Sequence, residues 1–237
     1  MTPRVRRDGE RIRKRVTDEA AARRLIAWAE DLRAGGVATP QARLDTRDGT
    51  LVFRLIEGTA GLALIVDRGA PALAGLLRPL LALHKLTLDG LPPFDPAAKI
   101  LPRLRPDDPP AVREHLRVLP DRPCAASVHG DFHAGQVILD GAGTVWLLDL
   151  DDLATGAPES DLGNFAAHLA TRPETRCGSV LQGLEHWLGH TLRAYRSIGG
   201  LAQTALAHDH GRVALVRRAL KLREQDDPSI LAELAGR

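Results

Sequence analysis

Cysteine is scarce in this sequence: 237 residues hold two, Cys124 and Cys177. They are far apart and share no zinc-type spacing, so neither a disulfide framework nor a paired-cysteine metal knuckle is expected. A reducing, cytoplasmic setting is the default that follows. Long apolar runs are also missing. The most apolar stretch, 61–77, is broken by Asp67, Arg68 and Pro71, which excludes a membrane span there. The N-terminal MTPRVRRDGERIRKRV has no apolar segment behind its charges, so no secretory leader is expected. Charge of one sign is not in excess. Lysine and arginine number 32 against 30 acids, a net charge of +2, and no nucleic-acid partner is called for. No internal repeat or low-complexity tract occurs. What is present, 44% hydrophobic and 26% charged residues, is ordinary for a globular chain long enough for one large domain or two lobes.

The stretch from Ser127 to Asp152 organises the rest. Gln136 to Leu139 and Thr144 to Leu148 are apolar runs joined by Asp140-Gly141-Ala142-Gly143, a Gly-containing connection of the hairpin kind. Antiparallel strands return the chain to its starting end, so the loop before the first and the loop after the second are neighbours. That places Asp131 beside Asp149 and Asp151, close enough to share one or two metal ions. An exposed hairpin with solvated acidic ends fits the same pattern. His129 and His133 flank Asp131, and His-x-Asp-x-His is also a pattern for a transition-metal site.

Upstream, Glu10 to Val16 alternates. As a strand it puts Ile12, Lys14 and Val16 on one face and Arg11, Arg13 and Arg15 on the other. A lysine on the apolar face needs an anion or carboxylate, because burying a bare ammonium is costly. A basic, solvated segment is the plainer alternative. Thr17 or Asp18 can cap a helix running to about Ala34 and closed by Gly35-Gly36. Residues 37–44 and 50–56 suit strands joined around Asp48-Gly49. Residues 71–86 carry Leu73, Leu76, Leu77, Leu80 and Leu83 at helical spacing. The proline-rich 91–110 is expected to be a loop, 112–119 a short helix. After Asp161 the pattern is helical, over 162–170, 179–198, 201–223 and 230–234.

The ordered motifs between His129 and Phe165 resemble the catalytic segment of the aminoglycoside phosphotransferase and choline kinase-like family. His129-Gly130-Asp131, then Gln136, then an apolar strand ending at Asp149, then Gly156-Ala157-Pro158 and Asp161 follow that family's order. The resemblance implies a protein-kinase-like α+β fold. Residues 1–58 would form a small N-terminal lobe of short strands and one helix, and 59–237 a larger, mainly helical catalytic lobe holding the hairpin 129–152. It implies transfer of the terminal phosphate of ATP or GTP, with Mg²⁺, to a hydroxyl of a small molecule. Asp131 would accept the hydroxyl proton and Asp149 would hold the metal, with Gln136 and Asp151 as further ligands. Lys14 would hold nucleotide phosphates and pair with a helix glutamate, Glu19 or Glu30. Glu57-Gly58-Thr59-Ala60-Gly61 would be the hinge where backbone meets the nucleotide base. His84 would pack near a helix end, and Asp161 would brace the catalytic loop.

Two positions depart from the family. Gln136 stands where the family has asparagine, and its extra methylene disturbs the near-ideal octahedron that Mg²⁺ demands. About ten residues precede the Lys14 strand, too few for the hairpin and glycine-rich loop that cover the phosphates, so most of that lid is expected to be missing. Those departures favour a rival expectation, a degenerate kinase-fold protein that binds nucleotide with little or no transfer. A metal-dependent hydrolase using the same acids is a third. Arg193, Arg196, Arg212, Arg217, Arg218 and Lys221 on the late helices weigh against a polycationic antibiotic as acceptor.

Overall fold

The computed structural model describes residues 5–116 and 126–236. Cys124 and the end of the helix expected over 112–119 lie outside the described residues, as do residues 1–4.

The alternating segment does become a strand. β1 (Val5–Asp8) and β2 (Arg11–Arg15) form a hairpin turned at Gly9, whose positive φ of 58° suits glycine. α1 (Glu19–Ala34) follows, with the Asp18 side chain accepting from the backbone N–H groups of Ala20 and Ala21, and it ends at Gly35. β3 (Ala42–Asp45) and β4 (Thr50–Arg54) complete an antiparallel sheet in the order β1-β2-β4-β3. Lys14 stands opposite Val5 on one side and Leu51 on the other, and is buried.

β5 (Thr59–Ala60) leads into α2 (Gly61–Arg68), and α3 (Leu73–Leu76) and α4 (Arg78–Lys85) follow. Leu73, Leu76, Leu77, Leu80 and Leu83 are all buried, as their spacing requires, but the single helix expected there is broken at Leu77. Pro79 has no N–H to continue the ladder, and its ring crowds the preceding turn. The proline-rich segment is also more ordered than a loop: Asp95 caps α5 (Pro96–Ile100), accepting from the Ala98 N–H. α6 (Pro110–Glu114) precedes the undescribed residues.

The stretch 126–156 contains two small ladders, one nested inside the other. β6 (Ala126–Val128) pairs with β9 (Ala154–Gly156), and between them β7 (Val137–Leu139) pairs with β8 (Val145–Leu147). β7 also receives β5, so the chain leaving the four-stranded sheet is stitched onto the hairpin. A Cβ on Gly58 would lie 2.2 Å from the Leu139 carbonyl oxygen, so only glycine permits that approach.

The remainder is helical: α7 (Pro158–Ala170), α8 (Val180–Ser197), α9 (Thr204–Arg223) and α10 (Ser229–Leu234). Nearly every α7 residue is buried, because α8 and α9 pack on either side of it. Gly163 meets Gly211 where α7 crosses α9; a Cβ there would sit 2.5 Å from the Gly211 nitrogen. This close crossing brings the C-terminal half of α9 to the loop between β6 and β7. Among the described residues, no helix is long and apolar enough to cross a membrane.

Candidate active site

The loop between β6 and β7 is built around a buried aspartate. Asp161, at the start of α7, is fully buried. It accepts from the backbone N–H groups of His129 (2.7 Å) and Gly130 (2.9 Å) and from His84 Nε2 (3.0 Å). Burial alone would push its pKa up. The hydrogen bond and charge of His84, with the His129 contacts, outweigh that and hold it below the usual carboxylate range. His84 Nδ1 lies 2.7 Å from the Tyr195 hydroxyl, which burial and the nearby carboxylates push well above its ordinary value. Phe132 anchors the far side of the loop, fully buried and stacked on Phe165 at 5.2 Å. The loop is therefore fixed by its backbone and its apolar residue, and Asp131 between them is left partly exposed.

The second loop follows β8. Asp149 takes a left-handed conformation, φ 55° and ψ 68°, which costs a non-glycine residue on the order of 1 kcal/mol. The turn brings two carboxylates under the four-stranded sheet. Lys14 Nζ lies 2.6 Å from Asp149 Oδ1 and 2.5 Å from Asp151 Oδ2, with only 11% of the lysine side chain exposed. Gln136 Nε2 donates to Asp149 Oδ2 at 3.2 Å. Desolvation raises the Asp149 pKa, but the hydrogen bond and charge of Lys14 prevail and the net shift is downward.

This cluster closes one end of a cavity of about 340 Å³. Ile12 and Val5 of the sheet and Ile138 and Leu148 of the hairpin line its apolar part, with Phe53, Leu55 and Ile56 along the connecting strand. An apolar cavity bordered by a cation and two carboxylates suits a base against its apolar lining and phosphates with a metal beside the charges.

Asp131 lies outside that cavity, and the expectation that it shares a metal with Asp149 and Asp151 is corrected. Its Oδ1 is 3.2 Å from the Arg217 guanidinium on α9 and 3.4 Å from Asn164 Nδ2 on α7. Arg217 also lies 4.0 Å from Asp152 Oδ2, which Lys99 approaches to 2.7 Å. The hairpin does bring the two loops together, but their acids engage different partners because the second loop passes between the sheet and α9. Asn164 and Arg217, the two residues that contact Asp131, border a narrow cleft on that other side.

Other expected site residues are relocated. Glu19 is not the partner of Lys14. It sits in the exposed first turn of α1 and accepts from Arg23 one helical turn on, at 2.6 Å. Glu30 is exposed as well. The carboxylates that neutralise Lys14 come from the second loop instead. Glu57 lines a separate cleft with Glu10, Arg54 and Trp146, and Gly58 is fixed by its approach to β7, so the connecting residues that reach the Lys14 cavity are Leu55 and Ile56. His129 and His133 diverge. His129 Nε2 bonds the Leu148 carbonyl at 2.8 Å, tying the two loops, while His133 stacks on His168 at 4.1 Å. Sequence reasoning singled out neither Asn164 nor Asp152, and took Arg217 only as one of a run of helical cations. Asn164 had a local signal, lying one helical turn after Asp161 on the same face of α7.

A small antiparallel sheet with one helix, an inter-lobe cavity and a loop-hairpin-loop carrying the acids define a kinase-like phosphotransferase fold. The chain belongs to the phosphotransferase enzyme family, whose profile matches residues 5–207. Among solved structures it resembles the amicoumacin kinase hAmiN, determined in complex with AMP-PNP, Ca²⁺ and Ami (15% identity, 98% of this chain and 87% of that one, TM-score 0.71). It also resembles the choline kinase LicA from Streptococcus pneumoniae (18%, 100% and 91%, TM-score 0.62). A third likeness is to the aminoglycoside phosphotransferase APH(3'')-Id from Streptomyces rimosus, in complex with ADP and streptomycin (17%, 87% and 86%, TM-score 0.57). At these identities the likeness concerns the fold. No curated protein matches the sequence.

Proposed function

We propose that the protein moves the terminal phosphate of a nucleoside triphosphate, ATP or GTP, to a hydroxyl of a small molecule. The observation that carries this reading is the inward Lys14, held between Asp149 and Asp151 at the closed end of an apolar inter-lobe cavity. In this reading residues 1–58 are the lobe over the nucleotide and residues 59–237 the catalytic lobe, working in a reducing cytoplasm where Cys177 stays a free thiol.

Phosphoryl transfer needs in-line positioning and charge neutralisation more than covalent help. Lys14 supplies a fixed positive charge for the phosphates. The acids around it suit Mg²⁺: Asp149, Asp151 and the Gln136 amide are hard oxygen donors, and two of them already surround a cation-sized space filled by an ammonium. A bound Mg²⁺ would neutralise charge on the terminal phosphates. On the other side of the second loop, Asp131 takes the proton of the acceptor hydroxyl. The acceptor oxygen then bonds the terminal phosphorus, and the bond to the nucleoside diphosphate breaks with its electron pair on the departing oxygen.

A second reading, a nucleotide-binding protein with little transfer, is favoured by Arg217 on Asp131 and by Gln136 donating to Asp149. Asp131→Asn separates the two. Transfer to any accepted alcohol should fall roughly a hundred- to ten-thousand-fold, with nucleotide-induced thermal stabilisation unchanged. Unchanged transfer removes Asp131 from the mechanism. Nucleotide stabilisation without transfer to any alcohol supports the second reading.

A further inference from the structure

We propose that the acceptor is a small alcohol carrying an anionic group, carboxylate or phosphate, which docks on Arg217 in the cleft beside Asp131. This rests on the phosphotransfer reading and names its substrate class. The cleft is bordered by Gly130 of the catalytic loop, Ser160 and Asn164 of α7, His210 and Arg217 of α9, and Phe94. Among the apolar Phe94, Ile100, Val213 and Ala214, Arg217 and Ser160 supply its polar groups. Arg217 is 19% exposed at its side chain, and Asn164 Nδ2 points its hydrogens at the Phe132 carbonyl (2.8 Å) and at Asp131. Ser160 Oγ is buried with no hydrogen-bond partner, although Ser160 lines this cleft. A buried hydroxyl without a partner carries an unmet desolvation cost, which an acceptor oxygen would relieve.

The acids nearby are already matched. Asp131 faces Arg217 at 3.2 Å, Asp152 faces Lys99 at 2.7 Å, and Glu159 accepts from the Gln203 backbone N–H at 2.7 Å. A cationic acceptor would enter beside a guanidinium that has nowhere to go. An anionic one can take that guanidinium in a bidentate pair, the geometry arginine suits best. Drawing Arg217 away also frees Asp131 Oδ1 to receive the hydroxyl proton, so the base is released only when a fitting acceptor arrives. Size points the same way. The free space is about 20 Å³, little more than one water-sized group, so only the end of a molecule enters the cleft.

The test uses the full chain with nucleotide and Mg²⁺ and four small probes: glycerate, glycerol phosphate, glycerol and ethanolamine. Transfer and thermal stabilisation are both read. Glycerate or glycerol phosphate should exceed the other two in kcat/KM by about thirty-fold, the worth of a charge-assisted contact, and the better of the two identifies the anion. Arg217→Gln should raise KM for that probe by a similar factor and leave the nucleotide KM alone. Arg217→Lys should restore part of the loss and guards against misfolding of the glutamine variant. Ser160→Ala should weaken the same probe by a smaller factor. Preference for ethanolamine or glycerol overturns the inference while the phosphotransfer reading stands. If no probe is phosphorylated, stabilisation by an anionic probe that Arg217→Gln abolishes keeps the anion site and sinks the phosphotransfer reading. Absence of any such stabilisation overturns the anion site.

Discussion

Asp161 and Asp149 belong to the same catalytic segment and are held in opposite ways. Asp161 is fully buried, takes two backbone donors and a histidine, and never meets solvent. Asp149 keeps 45% of its side chain exposed, sits on a strained left-handed backbone and is balanced by a lysine from another part of the fold. One carboxylate is spent on holding a loop in shape. The other stays open to solvent beside a cation that it shares with Asp151. An acid that looks equally acidic in sequence is assigned to architecture or to chemistry by what surrounds it.

Exchanging the two aspartates' environments is the sharpest way to break this contrast. Asp149→Asn keeps the shape and tolerates the left-handed backbone. It should cut transfer about a thousand-fold while moving stability by less than about 1 kcal/mol. A large drop in melting temperature with intact transfer would reverse the assignment. Asp161→Ala should do the opposite first: it leaves His84 and two buried N–H groups without a partner. The expected cost is about 3–5 kcal/mol, read as a fall of roughly 10 °C in Tm. A stable Asp161→Ala protein would show that the loop does not need its brace.

Acid titration sharpens the same comparison. Asp161 has a depressed pKa, so its contribution is complete above the ordinary aspartate value near ~3.9 and is lost as pH falls through its lower folded value. Losses at higher pH must come from elsewhere, and the His133–His168 stack supplies them. Burial, then the neighbouring His129 and arginines, holds His133 at about 3, and His168 is held well below its ordinary value. The unfolded chain binds a proton near ~6.5 and the folded chain does not, so stability falls as pH drops below that value. His133→Asn should remove about 2 kcal/mol of the difference between unfolding at pH ~7 and pH ~5. Identical pH profiles for the two proteins would clear the histidines. The smallest effect belongs to Glu19→Ala, whose exposed pair with Arg23 is worth less than about 0.5 kcal/mol. A tenfold rise in nucleotide KM would return Glu19 to Lys14.

Local chemistry was legible. The Asp18 cap, the Gly35 stop, the hairpin around Asp140–Gly143 and the inward face of Lys14 were all written in neighbouring residues. The partner of Lys14 was not, because it is chosen by how closely the 148–152 loop passes beneath the sheet, a long-range property that the α1 sequence does not encode. Arg217 was hidden for a related reason. It is one of several cations on α9, and the Gly163–Gly211 crossing, not periodicity, decides which one reaches Asp131. The break at Leu77 follows from Pro79, whose signal the leucine spacing masks. The short strands β6 and β9 carry too few residues to show a pattern.

Those short strands have a further consequence. Each acid-bearing loop leaves one ladder and enters the other, so both are clamped at both ends, like links of a buckle. A Cβ on Gly130 would lie 2.1 Å from the Asp152 carbonyl oxygen, so the links also touch just beyond the β6–β9 ladder. Thermal drift of one loop therefore drags its neighbour along, and the spacing between Asp131 and Asp149 is preserved while the rest of the fold breathes around it.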